Sequence, residues 1–193
     1  MARIRSQVDA GTYTRPVTET VDAHLDSWLE SKRLAGKRPA TIRGYADALK
    51  PARSRCGRKP LQSLTADDID AVKAAMLDGN ARRIGVKGKP MSARSVNYTL
   101  GTLQAALEQA VRRGKVARNV AATVDRVASD ARPGAAWTVE ESAAFKVVAA
   151  RDRLHAAWLL TCYGLRRGEV LGLQWDRDVN LSDGTVTVQT SRT

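Results

Sequence analysis

Two stretches of the sequence are dense in basic side chains and almost free of acids. Residues 32–59 contain ten lysines and arginines against one acid, Asp47, and residues 82–94 contain five against none. Ammonium and guanidinium groups bind phosphate, and guanidinium does so through two parallel hydrogen bonds. The pattern indicates a polyanionic partner, with nucleic acid the first candidate and an anionic membrane surface the second. An ordinary solvated surface is the alternative interpretation of any single charge run.

The excess of positive charge lies in the first two thirds of the 193-residue chain. Residues 1–130 hold 24 basic and 13 acidic side chains, whereas residues 131–193 hold 8 and 7. No run of about 18 apolar residues is present, and the first residues lack the apolar stretch of a secretory signal. Neither Cys56 nor Cys162 has a cysteine or histidine at metal-ligand spacing. We therefore expect a cytoplasmic protein without a metal or other cofactor.

Four helices are predicted in this basic part, because apolar residues recur there at helical spacing behind recognisable start signals. The starts are predicted at Thr18, Pro39, Thr65 and Ser92, and the ends near Gly36, Gly57, Gly79 and Gly114. The third and fourth helices are separated by a lysine- and glycine-rich loop, and a short helix is predicted after Asn119. The two histidines, His24 and His155, lie in helical stretches and are expected to be partly exposed.

The positions expected to contact nucleic acid share a basic or small polar character on the second helix, the loop and the fourth helix. They are Arg38, Thr41, Arg43, Lys50, Arg82, Arg83, Lys87, Lys89, Ser92, Arg94 and Asn97. On the fourth helix, the face opposite the apolar stripe is small and polar, including Asn97 and Thr102. Such a face can approach a phosphate backbone closely. The alternative is an ordinary solvent-exposed helix surface, which has a similar composition.

A second region begins after a segment with the composition of a linker. The predicted division is a tail at 1–16, a helical domain at 17–128, a linker at 129–136 and a second domain at 137–193. A capped helix is predicted from Trp137 onward with Val139, Val147 and Val148 on one side. Strict alternation at 185–190 predicts a half-buried strand. Because a lone strand has no partner, we expect this second domain to be cut short.

Residues 164–181 read GLRRGEVLGLQWDRDVNL. This run resembles the first conserved box of the tyrosine recombinases of the phage-integrase type, usually written G-L-R-x-x-E-x-x-x-L-x-W-x-D-[IV]. The basic helical segment upstream resembles the core-binding domain of the same family. The resemblance implies a mainly α fold: a four- to five-helix SAM-like core-binding bundle followed by a truncated α+β catalytic domain, with helices and the first strand of a small sheet.

The family's chemistry, as the resemblance implies it, is attack of a tyrosine hydroxyl on a DNA phosphodiester. Arg166 would be the first of the arginines that stabilise the charge on the transition state, and Glu169, three residues later, would orient it. The resemblance also implies a downstream lysine, a His-x-x-Arg box, a further His or Trp and the tyrosine nucleophile. No lysine, histidine or tyrosine follows Arg166 in the 193 residues. The implied partners are double-stranded DNA and further protomers assembled on it, as a tetramer in the parent protein.

Three hypotheses remain open at this point. The chain is the DNA-binding portion of an integrase that is inactive in this form, or a non-catalytic helical module that regulates or competes at recombination sites. The third hypothesis is a general helical nucleic-acid binder in which the match to the box is fortuitous.

Overall fold

The computed structural model describes residues 16–80, 88–128 and 134–192. The chain forms two compact units, Met1–Asp130 and Ala131–Thr193. The first unit contains helices α1 (Val21–Leu34), α2 (Pro39–Cys56), α3 (Ala66–Leu77) and α4 (Ala93–Arg112), with short 3-10 turns at Leu61–Ser63 and Val120–Thr123. The second contains helices α5 (Val139–Ala149), α6 (His155–Cys162), α7 (Arg167–Val170) and α8 (Trp175–Asp178), followed by strands β1 (Val179–Asn180) and β2 (Thr185–Val186).

Helix α1 begins later than the sequence predicts. Its N-cap is Thr20, whose hydroxyl accepts a hydrogen bond from the Ala23 amide at 3.2 Å, so the expected cap at Thr18 is wrong. The cause is a contact distant in sequence. Thr20 forms a bridge to Pro60, and the Leu61 amide donates to the Glu19 carbonyl at 2.9 Å. These bonds hold residues 19 and 20 extended, so that helical geometry begins only at Val21.

The other three helices of the first unit begin and end close to their predicted positions. Pro39 lies in the first turn of α2, Thr65 forms a capping box with Asp68, and the Ser92 hydroxyl accepts from the Ser95 amide. The four helices bury one continuous apolar core. Its largest fully buried apolar members are Trp28, Leu25, Leu49, Leu61, Ile69, Met76, Leu100, Leu103 and Leu107.

Two polar residues of this unit are more buried than predicted. His24 is fully buried, and its Nε2 lies 2.9 Å from the Ala106 carbonyl oxygen of α4, so the expectation of partial exposure is wrong. Burial lowers the pKa of His24 below its ordinary value. Thr102 is buried too, with its hydroxyl donating to the Tyr98 carbonyl. The face of α4 predicted to be polar and open is therefore partly covered.

The second unit has a small hairpin in place of the predicted lone strand. β1 and β2 are antiparallel, with Val179 opposite Val186 and Asn180 opposite Thr185. The strand is shorter than predicted, its residues are exposed, and it has a partner. The expectation of an unpaired strand is therefore wrong, because Val179 and Asn180 were not recognised as a strand.

Helix α5 has the predicted start, with a capping box between Thr138 and Glu141. Its expected apolar side is not covered within this unit: Val139, Val147 and Val148 are 81%, 66% and 73% exposed. The described residues form a mainly helical chain with one two-stranded sheet, so the predicted mainly α class is confirmed. Among these residues, no helix combines the length and apolar character needed to cross a membrane.

Candidate nucleic-acid interface

Helices α2 and α4 lie side by side in the first unit, in contact through residues 44–48 of α2 and 98–99 of α4. The buried Thr99 hydroxyl of α4 donates to the Ala48 carbonyl of α2 at 2.9 Å. The Tyr98 hydroxyl reaches Gly44, where an added Cβ atom would be 3.5 Å away. Arg43 is next to Gly44, and Arg94 is one helical turn before Tyr98. Two arginines that are 51 positions apart in the sequence are thereby brought to neighbouring helix segments.

The starts of these two helices are free of acidic side chains. Neither α2 nor α4 has an acid in its first turn, whereas α1, α3 and α5 all do. A helix N-terminus carries a partial positive charge from its unpaired amide groups, and a nearby carboxylate would cancel part of it. At α2 and α4 this positive potential adds to that of the arginines, which favours binding of an anion such as a phosphate.

The predicted cations on this surface differ in how they are paired. Arg38, Arg43, Lys89 and Arg94 are exposed and form no ion pair with another described residue, while Lys50 pairs with Asp47 at 2.6 Å. Lys50 also lies two turns beyond Arg43 along α2. The four unpaired cations require no competing carboxylate to be displaced when a phosphate binds. We use the name α2–α4 basic face for the set of predicted contact residues in the first turns of α2 and α4 and directly before α4: Arg38, Thr41, Arg43, Lys89, Ser92 and Arg94.

Asn97 is engaged within the protein. Its side-chain amide donates to the Val127 carbonyl at 2.8 Å and its side-chain carbonyl accepts from the Val127 amide at 2.9 Å. Arg126 adds a hydrogen bond of 2.7 Å to the Asn97 backbone carbonyl. This arrangement ties the end of the first unit to α4. A contact from Asn97 to a nucleic acid stays a prediction, and it would have to compete with these bonds.

Tyr98 belongs to the same surface, although it was not among the residues predicted to contact nucleic acid. Its side chain is 49% exposed beside Gly44. The available signal was its spacing, four residues after Arg94 on α4, which places both side chains on one side of the helix.

Three predicted loop residues, Arg82, Arg83 and Lys87, lie outside the described residues. The described ends of this loop are held close together. Gly79 has a φ of +76°, and a Cβ atom on it would lie 2.8 Å from the carbonyl carbon of Gly88. The Met91 amide donates to the Met76 carbonyl at 2.9 Å. The loop therefore leaves and rejoins the bundle next to Ser92.

Arg166 and Glu169 of the second unit are adjacent, as the sequence predicted. The Arg166 amide donates to Glu169 Oε2 at 2.8 Å, and its guanidinium donates to Oε1 at 3.2 Å. The Arg166 side chain is 86% exposed and that of Glu169 is 22% exposed. The backbone N–H of Arg166, and then its guanidinium, hold the pKa of Glu169 below its ordinary value. Glu169 thus stays ionised and limits the directions in which the exposed guanidinium can point.

A second ion pair of this unit is internal. The Asp178 carboxylate is fully buried and accepts two hydrogen bonds of 2.7 Å from Arg177 and one of 2.9 Å from the Gln174 amide. The Arg177 guanidinium lowers the pKa of Asp178. Within the described ranges, no group of three or more His, Cys, Asp or Glu side chains could hold a metal ion.

Solved integrase structures share this fold. A lambda integrase dimer bound to a COC′ core site is 20% identical with a TM-score of 0.67, over 92% of this chain and 47% of that one. The Tn1549 transposon integrase in complex with circular intermediate DNA is 19% identical with a TM-score of 0.71, over 89% and 54%. A lambda integrase tetramer bound to a Holliday junction is 21% identical with a TM-score of 0.67, over 92% and 53%.

These similarities establish the fold of the tyrosine recombinases. The predicted fold class, a mainly helical chain with a four-helix bundle followed by further helices and a small sheet, is confirmed. The chain spans about half the length of the solved integrases it matches. No family model and no curated protein matches the sequence.

Proposed function

We propose that the chain binds double-stranded DNA through the α2–α4 basic face. The observation that carries this proposal is that α2 and α4, which pack against each other, both begin without an acid, and that four exposed cations with no ion pair to another described residue lie on or next to these helix starts. Such a surface binds phosphates in a way that depends little on base sequence and strongly on salt. Tyr98, exposed between the two helices, is a candidate for contact with a sugar or a base. The DNA-bound state of the solved integrases favours DNA over a membrane surface as the partner.

We further propose that the chain is the DNA-binding portion of a site-specific tyrosine recombinase. Such an enzyme breaks and rejoins DNA through a phosphotyrosine intermediate. Arg166 would donate to the non-bridging oxygens of the scissile phosphate, and its exposure and its hydrogen bonds to Glu169 suit that role. Assembly of several protomers on DNA is part of this proposal, as is action in the cytoplasm, where the DNA partner would be found.

The 193-residue polypeptide itself is proposed to bind without cleaving. Its four tyrosines all precede Arg166, and no lysine or histidine follows that residue. When catalytic groups act as a unit, loss of one group removes most of the rate enhancement of the whole set. One arginine therefore cannot stabilise the transition state alone. The second candidate function is a non-catalytic module that regulates or competes at recombination sites. Reading the coding frame beyond residue 193 separates the two, because an in-frame His-x-x-Arg box and late tyrosine are expected only for the recombinase.

DNA binding is tested by fluorescence anisotropy with a labelled duplex at several salt concentrations. If about five phosphates are neutralised, log K should fall with log salt at a slope of roughly −4 to −5. The control for osmotic effects is an uncharged polyol added at the same osmolality, which should leave the affinity unchanged. A slope near zero would contradict the proposed interface.

A further inference from the structure

Two glycines on the turn that carries Arg166 allow another segment of the chain to approach unusually closely. A Cβ atom on Gly168 would lie 2.5 Å from the Arg192 carbonyl oxygen, and one on Gly172 would lie 2.5 Å from the Thr190 carbonyl oxygen. Both obstacles are backbone atoms, which cannot rotate away as a side chain could. Residues 190–192 therefore pack against this turn at a distance that only glycine permits.

Specific hydrogen bonds hold the same segment in place. The Arg192 amide donates to the Gly168 carbonyl at 2.8 Å, and the Thr190 hydroxyl donates to the Gly172 carbonyl at 3.1 Å. The turn thus receives one bond at each of its two glycines. Because α7 comprises only Arg167–Val170, a helix this short is marginal by itself, and these two outside bonds add to its order.

Thr190 also connects the segment to the buried ion pair. The Arg177 guanidinium donates to the Thr190 hydroxyl at 3.1 Å while it holds the Asp178 carboxylate. A further bond of 2.8 Å runs from the Thr187 amide to the Asp178 carbonyl. A continuous path of hydrogen bonds therefore runs from the buried Asp178 through Thr190 to the turn that begins at Arg166.

We propose that residues 190–192 act as a brace that positions Arg166 for its contact with a DNA phosphate. Gly168, Gly172 and Thr190 are positioning residues in this arrangement, because they act on Arg166 through the backbone of the turn. The proposal rests on the DNA-binding function proposed above. The brace fixes the position of the Arg166 backbone, and Glu169 limits the direction of its exposed side chain.

The test uses the 193-residue chain and three substitutions at the brace. Thr190→Val keeps the shape and removes the hydroxyl, Thr190→Ser restores the hydroxyl, and Gly172→Ala introduces the clash. Gly134→Ala is the matched control, because an added Cβ there meets nothing within 4 Å. Amide hydrogen exchange of Arg192 and the Nε–H resonance of Arg166 report the brace without DNA. The DNA readout is the loss of affinity caused by Arg166→Ala in each background.

We expect Thr190→Val and Gly172→Ala to speed exchange at Arg192 at least about tenfold and to move the Arg166 resonance towards that of a disordered arginine. Arg166→Ala should weaken DNA binding about threefold to fivefold in the parent chain, as one phosphate contact among many, and hardly at all in the Thr190→Val background. Thr190→Ser and Gly134→Ala should behave like the parent.

The outcomes separate the brace from the function on which it rests. An equal effect of Arg166→Ala in the parent and Thr190→Val backgrounds would overturn the positioning role while leaving DNA binding intact. Unchanged Arg192 exchange and an unchanged Arg166 resonance in Gly172→Ala would overturn the brace itself. Failure of the parent chain to bind DNA would overturn the proposed function, and the two NMR readouts would then still decide whether the brace exists.

Discussion

Removing the unpaired arginines of the α2–α4 basic face should flatten the salt dependence of DNA binding. The test variant replaces Arg38, Arg43 and Arg94 with Gln. A matched control replaces three other exposed arginines, which lie at the far end of α4 and beyond it: Arg112, Arg113 and Arg118. Both variants lose three positive charges, so they differ in where the charge is removed and not in how much.

The magnitude follows from counting phosphate contacts. Each neutralised phosphate contributes about −0.9 to the slope of log K against log salt, so three lost contacts should change a slope of about −4.5 to about −1.8. Between about 50 and 200 mM salt the parent chain should then lose roughly 500-fold in affinity, and the triple variant only about 12-fold. Arg94 and Arg112 are 18 residues apart on one helix, which is about 27 Å. That exceeds three Debye lengths of about 8 Å at about 0.15 M, so the control should keep a slope near that of the parent.

The assay is fluorescence anisotropy of a labelled duplex over that salt range, with thermal unfolding of each variant measured alongside. Loss of Arg112 at the end of α4 removes a favourable interaction with the helix dipole and should cost about 0.3–1 kcal/mol of stability. Equal flattening of the slope in both variants would show that the charge of the whole domain, and not this face, governs binding.

Three further outcomes are expected. The free energy of unfolding should decrease as the pH falls below about 6.5, by at most about 1.4 kcal/mol per pH unit, because burial lowers the pKa of His24 and the unfolded chain therefore binds the proton first. Urea titrations at about pH 7.5 and about pH 5.5 should show a smaller change of stability with pH in His24→Gln than in the parent chain, and an equal change would refute the role of His24. Gly79→Ala should destabilise the first unit by about 1–2 kcal/mol, because Gly79 has a left-handed φ and lies against the Gly88 backbone. Gly101→Ala within α4 should stabilise the unit by about 0.5–1 kcal/mol, because alanine favours a helix more than glycine does. Thermal unfolding measures both changes. With a suicide DNA substrate the 193-residue chain should form no covalent adduct on a denaturing gel, with or without Arg166, and an adduct mapped to any of its tyrosines would contradict the proposed inactivity.

The features that could be predicted from the sequence are local ones. A cap is formed by residues three positions apart, so Thr65, Ser92 and Thr138 could be recognised without knowledge of the fold. The pairing of Arg166 with Glu169 is local in the same sense, because the two residues are three positions apart. The apolar stripe of α4 also follows from its period alone.

Most of the features that the sequence did not reveal depend on partners distant in sequence. Thr20 becomes the cap of α1 because Pro60 holds it extended, and His24 is buried because it meets Ala106, 82 residues later. The amide of Asn97 is bound by Val127, which no helical period on α4 could reveal. β1 was missed because a two-residue strand is too short to show an alternation of its own.

The most direct test of the α2–α4 basic face is an NMR titration of the isotope-labelled chain with duplex DNA. The largest changes in amide chemical shift are expected at residues 38–45 and 89–98, with small changes at the far end of α4 and in residues 107–118. Saturation of these shifts should give the same dissociation constant as the anisotropy measurement. Large shifts confined to residues 107–118, or no shifts at a DNA concentration that saturates anisotropy, would contradict the proposed mode of DNA binding.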